Sequence, residues 1–300
     1  MKKDKYVSIK TNGVPGEAQS IEVFVCDHNP HEIDKSKKVE KPEQTEEQAA
    51  ADRARCNVNR AKGTIKEIVM NNHLPWFVTL TISPEKFDRK DLATIKKKLC
   101  QFLNDFKKRH AEELKYLLIP EMHADGSWHL HGFMDGIPME YLQKFEIGMQ
   151  MSSRLAQRVK QGKEIYNFPE YAKRFGFCEL EFVEDKARCA SYVTKYVTKN
   201  LGDTASAMRS GENLYFCSQG LKRANRSVAE EVSEDAVEAL KATARNGRVY
   251  KSDFGEGFDI AVPDGLEAEE YLRMLLDSLG IECNINKSYS MKELLADAPW

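Results

Sequence analysis

The chain has 300 residues, 41% hydrophobic and 31% charged, with 45 Lys+Arg against 47 Asp+Glu and a net charge of −2. That composition supports a buried core in one or two domains and excludes a disordered polyelectrolyte. No run approaches the roughly 18 apolar residues of a membrane span, the charged start Met1-Lys2-Lys3-Asp4-Lys5 leads into no apolar leader segment, and seven scattered cysteines without a C-x-x-C pair point to a reducing cytoplasm with neither a disulfide framework nor a cysteine zinc site.

Residues 1–20 read as irregular, with a short strand at Ile21-Glu22-Val23-Phe24-Val25. Residues 27–50, with Pro30, Pro42 and many charges, read as a linker. A basic helix is predicted from about Gln48 to Met70, carrying Arg53, Arg55, Arg60, Lys62 and Lys66. Trp76 to Ile82 alternates as a strand, with Trp76, Val78, Leu80 and Ile82 on one face and Thr79 and Thr81 on the other. Residues 88–110 form an amphipathic helix whose stripe is Leu92, Ile95, Leu99, Phe102, Leu103 and Phe106. Leu114 to Met122 and Trp128 to Met134 are the arms of a hairpin around Ala124-Asp125-Gly126. A mostly helical insertion over 138–172 precedes a strand at Phe177 to Val183. A helix over Asp185 to Leu201 stops at Gly202, and Leu214 to Ser218 is a last strand. Beyond it, Asn225 to Ala244 reads as helical, Gly255 to Val262 as extended, and Leu266 to Leu279 as an amphipathic helix that packs on a core.

The β-α-β-β-α-β order predicts an α+β fold with an antiparallel sheet and helices mainly on one face. Three segments are expected: a flexible N-terminal lead over 1–50, a compact domain over 51–223, and an acidic, partly helical extension over 224–300. Charge follows this division. Residues 51–200 hold 26 basic and 19 acidic groups, net +7, whereas residues 251–300 hold 4 and 11, net −7. The average of −2 therefore hides a basic block suited to a polyanion and an acidic appendage.

His129 and His131 flank Leu130 in a strand, so their side chains project on one side. Two imidazoles at that spacing can share a divalent metal, although a lone H-x-H is a weak signal. The hairpin strengthens it. A three-residue loop with Gly126 in the left-handed conformation pairs His123 with Ser127 and Glu121 with His129. Glu121 then adds a carboxylate to the same face, whereas a two-residue Asp-Gly loop would turn it away. His123 shares the face nearer the turn.

A second signal lies in Tyr192-Val193-Thr194-Lys195-Tyr196-Val197-Thr198-Lys199. At about 100° per residue, Arg188, Tyr192, Lys195, Tyr196 and Lys199 share one arc, and Ala187, Ala190, Val193, Val197 and Leu201 fall on the other side. Two half-buried tyrosines with solvated lysines would look the same. A phenol among cations is also suited to attack a phosphodiester, because positive charge favours the phenolate and the charged transition state.

Phe77-Val78-Thr79-Leu80-Thr81, His129-Leu130-His131 and the doubled Y-x-x-K of residues 192–199 resemble, in order, the three motifs of HUH endonucleases, above all the rolling-circle replication initiators of small phages and plasmids. The resemblance covers about residues 55–223. It implies an RRM-like central antiparallel sheet flanked by helices. It implies Mg²⁺ or Mn²⁺ held by Glu121, His129 and His131, and Tyr192 or Tyr196 as nucleophile, with Lys195 and Lys199 as the motif lysines. Tyr192 is favoured, since Lys195 lies within its cation arc. The implied product is a 5′-phosphotyrosine with a free 3′-OH, from single-stranded or hairpin origin DNA in a bacterial cytoplasm. No G-x-x-x-x-G-K-[ST] occurs, so no nucleotide cofactor is expected and a host helicase would unwind the duplex. Relaxases and transposases of the same superfamily are alternatives, but the tyrosine after the histidines differs from relaxase order. A non-catalytic RRM-like module would instead show stacking aromatics on its open face.

Overall fold

The computed structural model describes residues 5–17, 19–27, 45–199, 214–252 and 255–285. In chain order the elements are β1 (Lys5–Asn12), β2 (Ser20–Cys26), α1 (Glu46–Met70), β3 (Trp76–Thr81), α2 (Leu92–His110), β4 (Lys115–Met122) and β5 (Trp128–Asp135). There follow β6 (Gln143–Lys144), α3 (Ser153–Lys160), β7 (Ile165–Asn167), α4 (Pro169–Arg174), β8 (Cys178–Phe182), α5 (Lys186–Lys199) and β9 (Phe216–Cys217). Last come β10 (Asn225–Val232), α6 (Glu234–Ala242), β11 (Ala244–Ser252), β12 (Gly255–Ala261), α7 (Ala268–Ser278) and β13 (Asn284–Ile285). The class is α+β with two antiparallel sheets. They belong to two compact units, one of residues 44–221 and one of residues 1–43 with 222–300.

The central unit holds a seven-stranded sheet in the order β6-β7-β8-β3-β5-β4-β9. Period-two alternation decides its faces. Trp76, Val78 and Leu80 of β3, with Leu118, Leu130 and Leu180, pack against the predicted stripe of α2 and against Phe168, Tyr171 and Phe175 around α4. Each such side chain contributes roughly 1.5–3 kcal/mol by leaving water. Asp91 caps α2 by accepting a hydrogen bond from the Thr94 N–H at 3.0 Å, and Lys107, Lys108 and Arg109 complement the negative end of the helix dipole. The 138–172 insertion is less helical than expected, since β6 and β7 extend the sheet beyond β8.

Helices cover both faces rather than mainly one. On the second face Phe77, Leu117, Ile119 and Phe133 make an apolar half that α1 and α5 bury through Val58, Ala61, Ile65, Ile68, Ala190 and Val193. A capping box between Thr45 and Gln48 starts α1. The other half of this face is polar, and the candidate site is built on it.

The terminal unit is a six-stranded sheet, β11-β12-β2-β1-β10-β13. Val7, Ile9, Ile21, Val23, Phe258 and Ile260 bury one face against Val237 and Leu240 of α6 and Leu272 and Leu276 of α7. Two expectations are corrected. Residues 5–12 are a strand rather than irregular, and 225–232 are a strand with only 234–242 helical. The cause is non-local, because β1 and β10 pair with each other across most of the chain. The acidic segment is no loose appendage either, since its described part supplies β12, α7 and β13. Within it, Glu256 bridges Lys241 and Lys251 at 2.5 and 3.0 Å. Most of the expected linker lies outside the described residues. Among those described, no helix is long and apolar enough to cross a membrane.

Candidate metal and tyrosine site

The β4–β5 turn is a three-residue loop. Gly126 sits at φ +80°, a left-handed conformation that favours glycine. Its N–H donates to the His123 carbonyl at 2.9 Å, and the His123 N–H donates to the Ser127 carbonyl at 2.8 Å. Asp125 accepts from the Ser127 N–H and hydroxyl at 2.9 and 2.6 Å, and these bonds hold its carboxyl below the usual range. The register that results sets Glu121 opposite His129 and Ile119 opposite His131.

Neighbouring strands complete a polar floor. Thr79 lies between His131 on one side and Glu179 on the other, and Thr81 lies beside His129. Glu121 and His131 are buried, with Oε2 and Nε2 2.9 Å apart. Thr79 Oγ1 is 3.2 Å from His131 Nδ1 and fixes the ring from behind.

His129 shares the floor, but its ring stacks on exposed His123 with centroids 4.1 Å apart, and its Nε2 is 3.3 Å from Arg89 Nη2. Burial, reinforced by the neighbouring His123 and Arg89, pushes His129 down to about 4. Near neutral pH it is therefore the uncharged imidazole, the form that ligates metals. Among the described residues no three His, Cys, Asp or Glu side chains stand gathered as a metal-holding group. Glu121 and His131 are brought together, while His129 faces Arg89.

Asp185 starts α5 by accepting from the Arg188 N–H at 2.9 Å. Ala190 and Val193 are fully buried, as the helical wheel predicts, although Ala187 at the helix start is exposed. Tyr192 is 46% exposed and meets Phe77 edge to face at 6.1 Å. Phe77 lies in turn nearly parallel to His131 at 6.5 Å. One ring thus links the histidine strand to the tyrosine helix. Lys195 Nζ stands 5.9 Å from the Tyr192 ring centre. The side chains of Tyr196 and Lys199 lie outside the described residues.

Three functional candidates have no counterpart in the sequence reading. Arg89, in the β3–α2 connection, donates to Ser127 Oγ at 2.8 Å, and its buried Nε has no hydrogen-bond partner among the described residues. Arg158 of α3 donates to Glu179 at 3.2 Å and to Glu181, within electrostatic reach of Tyr192. Glu179 is raised above the ordinary glutamate range, chiefly by burial, with Arg158 opposing the shift. The alternation Glu179-Leu180-Glu181 places both carboxylates on the Thr79 face and was a readable signal. Nothing in sequence spacing marks Arg89 or Arg158.

Residues 75–201 match the sequence model of a family described as Replication-associated protein ORF2. The matched stretch runs from β3 to the end of α5 and includes Glu121, His129, His131, Tyr192 and Tyr196. No curated protein and no solved structure matches the chain.

Proposed function

We propose that the chain initiates rolling-circle replication by nicking one strand of an origin and later rejoining it, with the central unit as an endonuclease of the HUH fold. The family match of residues 75–201 supports the replication role. One observation carries the nicking chemistry: Glu121 opposite His129 and 2.9 Å from His131, on a floor that Phe77 joins to Tyr192.

Glu121, His129 and His131 would hold Mg²⁺ or Mn²⁺, since a carboxylate and two uncharged imidazoles are a suitable donor set for such ions. When bound, the ion supplies Lewis acidity to the scissile phosphate. The remaining chemistry falls to the chain. Single-stranded or hairpin origin DNA lies over the polar floor, and Arg89 and Lys195 meet its phosphates.

Tyr192, or Tyr196 one turn later, attacks the phosphorus. A bond from the phenolic oxygen to phosphorus forms as the bond from phosphorus to the 3′ oxygen breaks. The phenol gives up its proton and the 3′ oxygen gains one. This leaves a 5′-phosphotyrosine and a free 3′-OH that primes synthesis. Lys195 and Lys199 orient the DNA and assist the leaving oxygen. Rejoining reverses these steps, and a host helicase in a bacterial cytoplasm separates the strands.

The test is incubation with Mn²⁺ and labelled single-stranded origin DNA, scored as an adduct that survives SDS. The adduct is expected for the native chain and is lost in His129→Ala with His131→Ala. Its persistence in the Tyr192→Phe, Tyr196→Phe double variant would overturn the mechanism.

A further inference from the structure

β11 is an outer strand of the terminal sheet, paired on one side only, with β12. Its residues 245–252 are exposed and include Arg245, Arg248 and Lys251 with Val249 and Tyr250 between them. Asn246 and Gly247 sit at φ +57° and +61°, and the register against β12 shifts between Ala244 and Val249. This bulge frames a hollow of about 690 Å³ lined by Arg245, Asn246, Arg248, Tyr250 and Asp259.

Tyr250 pairs across the strands with Gly257, and its ring lies over the bare Cα. A Cβ there would fall 2.1 Å from Tyr250 Cζ, so only glycine admits this ring position. The ring remains 54% exposed. Among the described residues, the side chains of Arg245 and Arg248 have no hydrogen-bond or ion-pair partner, whereas Lys251 is paired with Glu256.

Cations and a bulge also protect a sheet edge from strand addition. An aromatic ring seated beside two unpaired guanidinium groups and left half in solvent does not serve that purpose. It matches the needs of a single-stranded polynucleotide, which offers a phosphate charge and a base face at each step. We propose that the β11–β12 edge binds single-stranded DNA, with Tyr250 as a stacking platform and Arg245 and Arg248 as phosphate contacts. The terminal unit thereby contributes a DNA-binding surface of its own, made of residues outside the metal and tyrosine site.

The test is fluorescence anisotropy with oligothymidylate over a salt series. It uses the full chain carrying Tyr192→Phe and Tyr196→Phe, so that no covalent attachment intrudes and a failure of nicking cannot be mistaken for a failure here. Tyr250→Ala should weaken binding about tenfold and Tyr250→Phe should retain it. Arg245→Ala with Arg248→Ala should reduce the slope of log affinity against log salt by about 1.4. The arginine variant removes no internal contact and so guards against misfolding as the cause. Affinity and slope unchanged in these variants would overturn the proposal. So would a change confined to self-association in sedimentation, which would assign the edge to protein pairing.

Discussion

Glu121 and His131 meet at 2.9 Å, although the strand register sets Glu121 opposite His129. The carboxylate reaches diagonally along the hairpin, a distance that long side chains span. Glu121 is therefore held by one histidine while standing across from the other. Glu121→Gln keeps the shape and removes the charge. Mn²⁺ affinity, measured by calorimetry, should fall by about 10- to 100-fold.

The register depends on the loop. Gly126 is the left-handed residue that closes it, and a Cβ there would meet nothing nearer than Lys90 Cε at 3.5 Å. Gly126→Ala should thus act through backbone strain alone. Urea unfolding should show a loss of about 1–2 kcal/mol, and Gly126→Asn a smaller one, because Asn tolerates that conformation.

Arg89 is fixed at one end by Ser127, while its buried Nε–H lacks a partner among the described residues. A phosphate oxygen of bound DNA would satisfy that donor. Arg89→Ala should weaken single-stranded DNA binding about tenfold, and Arg89→Lys should restore little of it, because lysine lacks the planar fork. Full rescue by lysine in an anisotropy titration would reduce the role to plain charge.

Glu179 is raised by burial. The native state therefore holds its proton more tightly than the unfolded chain. Its contribution to stability is fully present below the unfolded value of about 4.3 and is lost as pH rises through the higher folded value. Native minus Glu179→Gln stability, from urea unfolding between about pH 4 and 7, should fall with rising pH. A difference that grows with pH would contradict the assignment.

Local pattern made much of the central unit legible. The alternation in β3 and β5, the stripe of α2 and the Ala124-Asp125-Gly126 loop each follow from a few adjacent residues, and the loop fixes the Glu121–His129 pairing. Where partners lie far apart in sequence, pattern failed. β1 alternates after a lysine-rich start, and β10 carries the helix-like run Ala229-Glu230-Glu231. Only their mutual pairing makes either a strand. Arg89 and Arg158 were hidden for the same reason, since each acts through strands distant in the chain. The ring of Phe77 between His131 and Tyr192 required the packing of α5 on the sheet.

The central claim is that a tyrosine of α5 becomes joined to DNA at this floor. Peptide mapping by mass spectrometry, after nuclease trimming of an adduct formed with Mn²⁺ and single-stranded origin DNA, tests it most directly. The account predicts a nucleotide mass on the peptide carrying Tyr192 and Tyr196, with fragment ions placing it on a tyrosine oxygen. A nucleotide on any other peptide, or an adduct formed equally well without divalent metal, would contradict it.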